Sequence, residues 1–182
     1  PGAKPMRPPI PGIQQAGIVS LRNMADADAL RALADQYAGN GRAVVVGGGF
    51  IGIETTENLR SRGLSVTIVE AAPHILAPFD TDMVKYAEQE LNAHGIGLLL
   101  GSGVTAFQPA EDGIRVELAD GQQRTVDFVG LAIGVQPDTG FLQDTGLELG
   151  PRGHILVDAG MRTNLPDIYA VGDAVLTQSM QT

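Results

Sequence analysis

The sequence predicts an α/β fold, a Rossmann-like parallel sheet with helices on its faces, joined to a three-stranded antiparallel β-meander. Three observations predict it. Residues 42–100 alternate short β-branched runs with helical spacing in the order strand, helix, strand, helix, strand, the βαβαβ order of a nucleotide-binding half-fold. The run at 65–70 is apolar on both faces, as a buried parallel strand would be. Residues 104–127 change character: short segments are divided by Asp112-Gly113 and Asp120-Gly121, pairs that favour tight hairpin turns because Gly accepts positive φ.

Taken in order, residues 1–12 (PGAKPMRPPIPG) hold five prolines and no periodicity. Proline fixes φ and removes a backbone donor, so this stretch is an extended connector. Residues 26–38 place Leu30, Leu33, Ala34 and Tyr37 at helical spacing, with Gly39 as the stop. The run at 42–46 is a strand and leads at once into Gly47-Gly48-Gly49; 50–62 is a helix closed by Gly63. After the strand at 65–70, Asp80 is placed to cap a helix running to about residue 94, and 96–100 is a third apolar strand. Segments 104–107, 114–118 and 124–127 form the meander, with Ile114, Val116 and Leu118 alternating against Arg115 and Glu117. Residues 128–133 return to the parallel sheet. Beyond Pro137 the chain is loop-like, except for strands expected at 155–157 and 168–171.

Composition limits the function. With 182 residues, 43% hydrophobic and 18% charged, the chain fits a soluble globular domain of ordinary size. Its formal net charge of -9 repels phosphate backbones, so no nucleic-acid partner is expected. No apolar stretch approaches the ~20 residues a membrane span needs and no signal peptide opens the chain, which predicts no membrane partner and a cytoplasmic location. Cysteine is absent, which excludes disulfides, thiolate metal sites and Cys nucleophiles within these residues. His74, His94 and His154 match no local metal-ligand spacing, and no metal site is expected. Only two lysines occur, Lys4 and Lys85, and neither Tyr37 nor Tyr86 has a lysine four residues on. No catalytic residue is assigned within the chain.

The candidate chemistry is binding. VVVGGGFIGIE contains Gly47-x-Gly49-x-x-Gly52 between a predicted strand and a predicted helix, the context that gives this common motif its meaning. Gly47 would make the tight turn, Gly49 would let a pyrophosphate approach, and Gly52 would let helix and strand pack closely; the helix N-terminus offers free N–H groups and a positive dipole end. Glu70 closes VTIVE eighteen residues after Gly52, placed to accept hydrogen bonds from an adenosine ribose. It would repel a 2′-phosphate, and Ala71, Ala72 and Pro73 follow where an NADP site usually adds an arginine. NAD(H) is therefore the expected cofactor. Glu54 faces a ligand on the first turn and a half of the helix or complements its dipole. Phe50 is plain core or an aromatic at the mouth of the crevice.

GGGFIGIE, VTIVE, LAIGVQPDT and TNLPDIYAVGDA together resemble, in order and spacing, the flavin-dependent pyridine nucleotide-disulfide oxidoreductases. The nearest resemblance is to coenzyme A-disulfide reductases, NADH oxidases and persulfide or polysulfide reductases, and it covers essentially the whole chain. It implies that residues 39–149 form the NAD(H)-binding domain. Residues 1–38 would be a connector and helix from a flavin domain, and 150–182 a return segment of that FAD-binding domain. Carried over, the resemblance puts Gly47, Gly49 and Gly52 on the pyrophosphate and Glu70 on the ribose. Ile51 and Glu54 would lie near the nicotinamide end, with Ile133 and Gly134 lining it from the other side. Phe50 stands where many relatives carry a Tyr over the flavin, and Asp173 matches a flavin contact. The implied parent is a homodimer that passes hydride from NADH to FAD and on to a disulfide, persulfide or oxygen. Its flavin and dimerisation domains lie outside this chain, which alone is expected to be inactive. The other reading is a stand-alone dinucleotide-binding module. The two ends, deprived of a flavin domain, are expected to pack on each other or exchange with a neighbouring chain.

Overall fold

The computed structural model describes residues 2–177. Its elements along the chain are β1 (Ala3–Pro5), β2 (Ile18–Ser20), α1 (Met24–Gln36), β3 (Arg42–Val46), α2 (Phe50–Ser61), β4 (Ser65–Glu70), α3 (Thr81–Ala93), β5 (Gly97–Leu100), β6 (Val104–Ala110), β7 (Gly113–Leu118), β8 (Gln123–Val126), β9 (Phe128–Leu131), β10 (Val135–Pro137), a short 3-10 turn (Gly140–Leu142), β11 (Ile155–Leu156) and β12 (Val175–Leu176). They fall into two compact units: Arg7–Gly134, and the described residues of Pro1–Met6 and Val135–Thr182. Among the described residues no helix is long and apolar enough to cross a membrane.

In Arg7–Gly134 the chain builds a five-stranded sheet in the order β2-β9-β3-β4-β5, with every pairing parallel. β3 explains why both of its faces are apolar. Val44 and Val46 join Val69, Val129 and the meander residues Phe107, Ile114, Val116, Leu118 and Val126 in one buried cluster. Ala43 and Val45 point the other way, into a cluster with Ala34 of α1, Leu59 of α2, Val66 and Phe128. Ile68 continues that second face under α3, against Val84, Leu91 and Ile96. The helices therefore cover one face and the β6-β7-β8 meander covers the other. Each fully buried Val or Ile here is worth about 1.5–3 kcal/mol over exposure.

Local details depart from the sequence expectation for identifiable reasons. α1 starts at Met24 rather than residue 26, because Asn23 and Asp26 form a capping box: the Asp26 N–H donates to Asn23 Oδ1 at 3.0 Å and the Asn23 N–H to Asp26 Oδ2 at 3.2 Å. Asp80 does stand at the start of α3, but its side chain makes no capping hydrogen bond. β2, too short to announce itself, is an edge strand held to β9. β6 runs through Pro109 to Ala110, which an outer strand of the meander tolerates. The meander is tied to the sheet by Asp127, whose carboxylate accepts the Arg42 N–H at 2.6 Å and its guanidinium at 3.0 Å.

The second unit is built from small pairings. β1 pairs antiparallel with β10, and β11 pairs parallel with β12. The strand expected at 168–171 does not form. Asp167 (φ 61°) and Gly172 (φ 85°) turn the backbone at either end of the segment, leaving Tyr169 one isolated bridge to Arg162. The strand lies later, at Val175–Leu176. The N-terminal segment, expected to pack on the C-terminal one or to exchange with a neighbouring chain, pairs with Val135–Pro137. Residues 178–182 of the expected return segment lie outside the described residues.

Candidate functional site

The parallel strands β3 and β4 end side by side, Val46 opposite Val69, and the glycine loop leaves the sheet there. Gly47 has φ 109°, and a Cβ on it would lie 2.3 Å from the Ala132 carbonyl oxygen. Only glycine makes that turn against the end of β9. Gly52, in the first turn of α2, is packed so closely that a Cβ would lie 1.9 Å from the Gly47 carbonyl oxygen. Gly49 is the opposite case: it is exposed and a Cβ there would meet nothing within 4 Å. The loop is thus closely packed underneath and open above. Gly49 is also the N-cap of α2, with no side chain capping the helix, so the first-turn N–H groups and the positive end of the dipole face that open side.

Glu70 borders the opening. Its Oε2 accepts the Gly48 N–H at 2.6 Å and its Oε1 accepts the Ala72 N–H at 2.8 Å. A carboxylate has about four acceptor positions, so both oxygens retain capacity for hydroxyl donors while the two backbone bonds fix their direction. The carboxylate and the uncapped helix end fit a polar, diphosphate-bearing ligand with vicinal hydroxyls.

The structure brings nine of the ten residues singled out from sequence into Arg7–Gly134. Phe50 opens α2, 60% exposed, and its ring meets Phe79 edge to face at 5.9 Å. Ile51 and Glu54 follow along the helix and line a groove of about 710 Å³ between α1 and α2. Ile133 follows β9 beside Gly47 and packs partly buried against the meander cluster. Gly134 (φ 92°) is exposed after it. Asp173 belongs to the other unit, where it is exposed.

Four residues, Gly48, Ile75, Leu76 and Phe79, escaped sequence reading. Gly48 packs against Ile75, whose Cγ2 would lie 2.8 Å from a Cβ there, and Ile75 is fully buried. The Leu76 N–H donates to the Gly48 carbonyl at 2.8 Å from a left-handed backbone, φ 50°. These contacts fold residues 71–80 against the glycine loop and carry Phe79 to Phe50. The available signal was HIL within a proline-flanked loop, apolar side chains where a solvent loop has no use for them.

The sheet is of the Rossmann-like α/β class, and comparison with known proteins gives its family. The chain belongs to the pyridine nucleotide-disulphide oxidoreductase family, whose model matches residues 1–182. It is 35% identical over 177 residues to an NADH oxidase of Enterococcus faecalis, covering 96% of this chain and 39% of that protein. Among solved structures it is similar to reduced CoADR-RHD of Bacillus anthracis, at 42% identity and TM-score 0.87, covering 96% of this chain and 31% of that one. It is also similar to the water-forming NADH oxidase of Lactobacillus brevis bound to NADH, at 34% identity and TM-score 0.88, covering 96% and 38%. The chain spans well under half the length of each.

Proposed function

We propose that this chain binds NADH at the glycine loop, as the nicotinamide-nucleotide part of a longer cytoplasmic, homodimeric flavoprotein that reduces a small disulfide, a persulfide or oxygen. The observation that carries the reading is the braced Glu70 carboxylate beside the open face of Gly49. Gly49 and the first turn of α2 would hold the pyrophosphate, and Glu70 the adenosine ribose. Phe50, Ile51, Glu54, Ile133 and Gly134 would border the nicotinamide end. Bound NADH supplies a hydride, and FAD in the longer protein supplies its acceptor, with Asp173 as one flavin contact. The residues of this chain bind, orient and select; with no cysteine among its 182 residues it carries no thiol to reduce a disulfide itself.

Titrating the purified chain with NADH and NADPH tests the reading. NADH is expected to bind more tightly, because the Glu70 carboxylate repels a 2′-phosphate. Equal or tighter binding of NADPH overturns the preference, and no binding of either overturns the site. The chain alone is expected to be colourless and without NADH turnover; stoichiometric FAD in it, or turnover without added flavin, overturns that part.

A further inference from the structure

Phe50 and Phe79 are large apolar side chains left 60% and 40% exposed, yet their rings meet at 5.9 Å with an interplanar angle of 78°. They come from different elements. Phe50 is the first residue of α2, directly after the open Gly49. Phe79 stands on the loop between β4 and α3, which is bound to the glycine loop by the Leu76 N–H on the Gly48 carbonyl and by buried Ile75 against Gly48; the Phe79 N–H in turn donates to the Leu76 carbonyl at 2.9 Å. The loop is therefore built to deliver this ring to this place.

An exposed ring on a helix's first residue has several side-chain rotamers open to it, and an edge-to-face contact favours one of them. Two rings near a right angle make an apolar corner, into which a planar heteroaromatic ring can stack on one and meet the edge of the other. Glu70 ends β4, and the open Gly49 immediately precedes Phe50. Phe50 opens α2, and Ile51 and Glu54 follow it along the helix.

We propose that Phe79 is a positioning residue, holding Phe50 in the orientation that receives the nicotinamide ring of the dinucleotide. The proposal rests on the NADH-binding reading above. Its test uses the 182-residue chain with two probes: NADH, and ADP, which lacks the nicotinamide. Phe79→Ala is expected to weaken NADH binding by about 2- to 10-fold and leave ADP binding unchanged. Phe79→Tyr, which keeps the ring, is expected to restore NADH affinity. If Phe79→Ala binds NADH as the unsubstituted chain does, or loses NADH and ADP equally, the proposal is overturned while the binding site stands. If the unsubstituted chain binds neither probe, the reading falls and the proposal falls with it.

Discussion

The Gly48 N–H donates to Glu70 Oε2 at 2.6 Å, a bond that joins the glycine loop to the end of the neighbouring strand across 22 residues of sequence. On the function proposed above, the acid that would meet the ligand's ribose also braces the loop that would meet its phosphates. On that proposal binding and local order would be coupled at one side chain, and substitutions there are expected to separate the two roles.

Glu70→Ala is expected to weaken NADH by about 1–3 kcal/mol, since it removes an acceptor from buried hydroxyl partners. It should also narrow the difference between NADH and NADPH. Glu70→Gln keeps one acceptor oxygen but turns an amide N–H₂ toward a backbone N–H, so it should recover little. Calorimetric titration with both nucleotides measures this, and an unchanged preference in Glu70→Ala would count against the assignment.

Two glycines of the motif should separate cleanly. Gly52→Ala drives a Cβ into the Gly47 carbonyl, so the helix or the loop must shift; a stability loss of about 1–3 kcal/mol is expected from overpacking. Gly49→Ala has open space around its Cβ and should unfold at nearly the same urea concentration. It should nevertheless lose NADH, because the methyl group stands where the pyrophosphate would approach. Denaturation and binding curves on the same two variants decide it.

Ile75→Ala is expected to cost about 2–5 kcal/mol, as for other fully buried large-to-small changes. Ile75 belongs to the cluster under α3 and also supports Gly48. Hydrogen exchange should therefore show faster exchange at the Gly48 and Leu76 amides, beyond any global effect. Protection unchanged at those two amides would refute the link between the loops.

The Arg42–Asp127 pair makes a pH-dependent tie. Burial raises the pKa of Asp127, but hydrogen bonds from the Arg42 side chain and backbone, with the Arg42 charge, outweigh it and hold the carboxyl below the usual aspartate range. A depressed folded-state pKa gives stability that is full above the unfolded value and is lost as pH falls through the folded one. Asp127→Asn is expected to lose about 1–3 kcal/mol at neutral pH. It should also show a shallower decline than the unsubstituted chain below the ordinary aspartate range. Urea midpoints across the acid range provide the comparison; parallel declines would rule the tie out.

Much of the molecule was legible in its sequence. The three central parallel strands, their helices and the meander follow from periodicity, because a strand covered on both faces must be apolar throughout while a half-covered one alternates. Gly47, Gly49, Gly52 and Glu70 follow from spacing, since the strand–loop–helix geometry leaves only certain positions near the loop. Asn23 as the cap and β2 as an edge strand were not legible. A three-residue strand has no readable period, and Asn23 Asp26 is a capping pair only once the helix entry is known.

The sequence by itself determined which side chains could pack or bind, since periodicity, glycine placement and charge are local properties of the chain. Only the tertiary structure decided where the strand near the end of the chain lies, and that Ile75 and Phe79 belong beside the glycine loop. At 168–171 the local apolar pattern favours a strand, but the turns at Asp167 and Gly172 leave Tyr169 a single bridge, and pairing occurs instead at Val175–Leu176. Ile75 and Phe79 are separated from Gly48 and Phe50 by a helix and a strand. They meet only because β3 and β4 are parallel neighbours whose ends bring both loops to the same edge of the sheet.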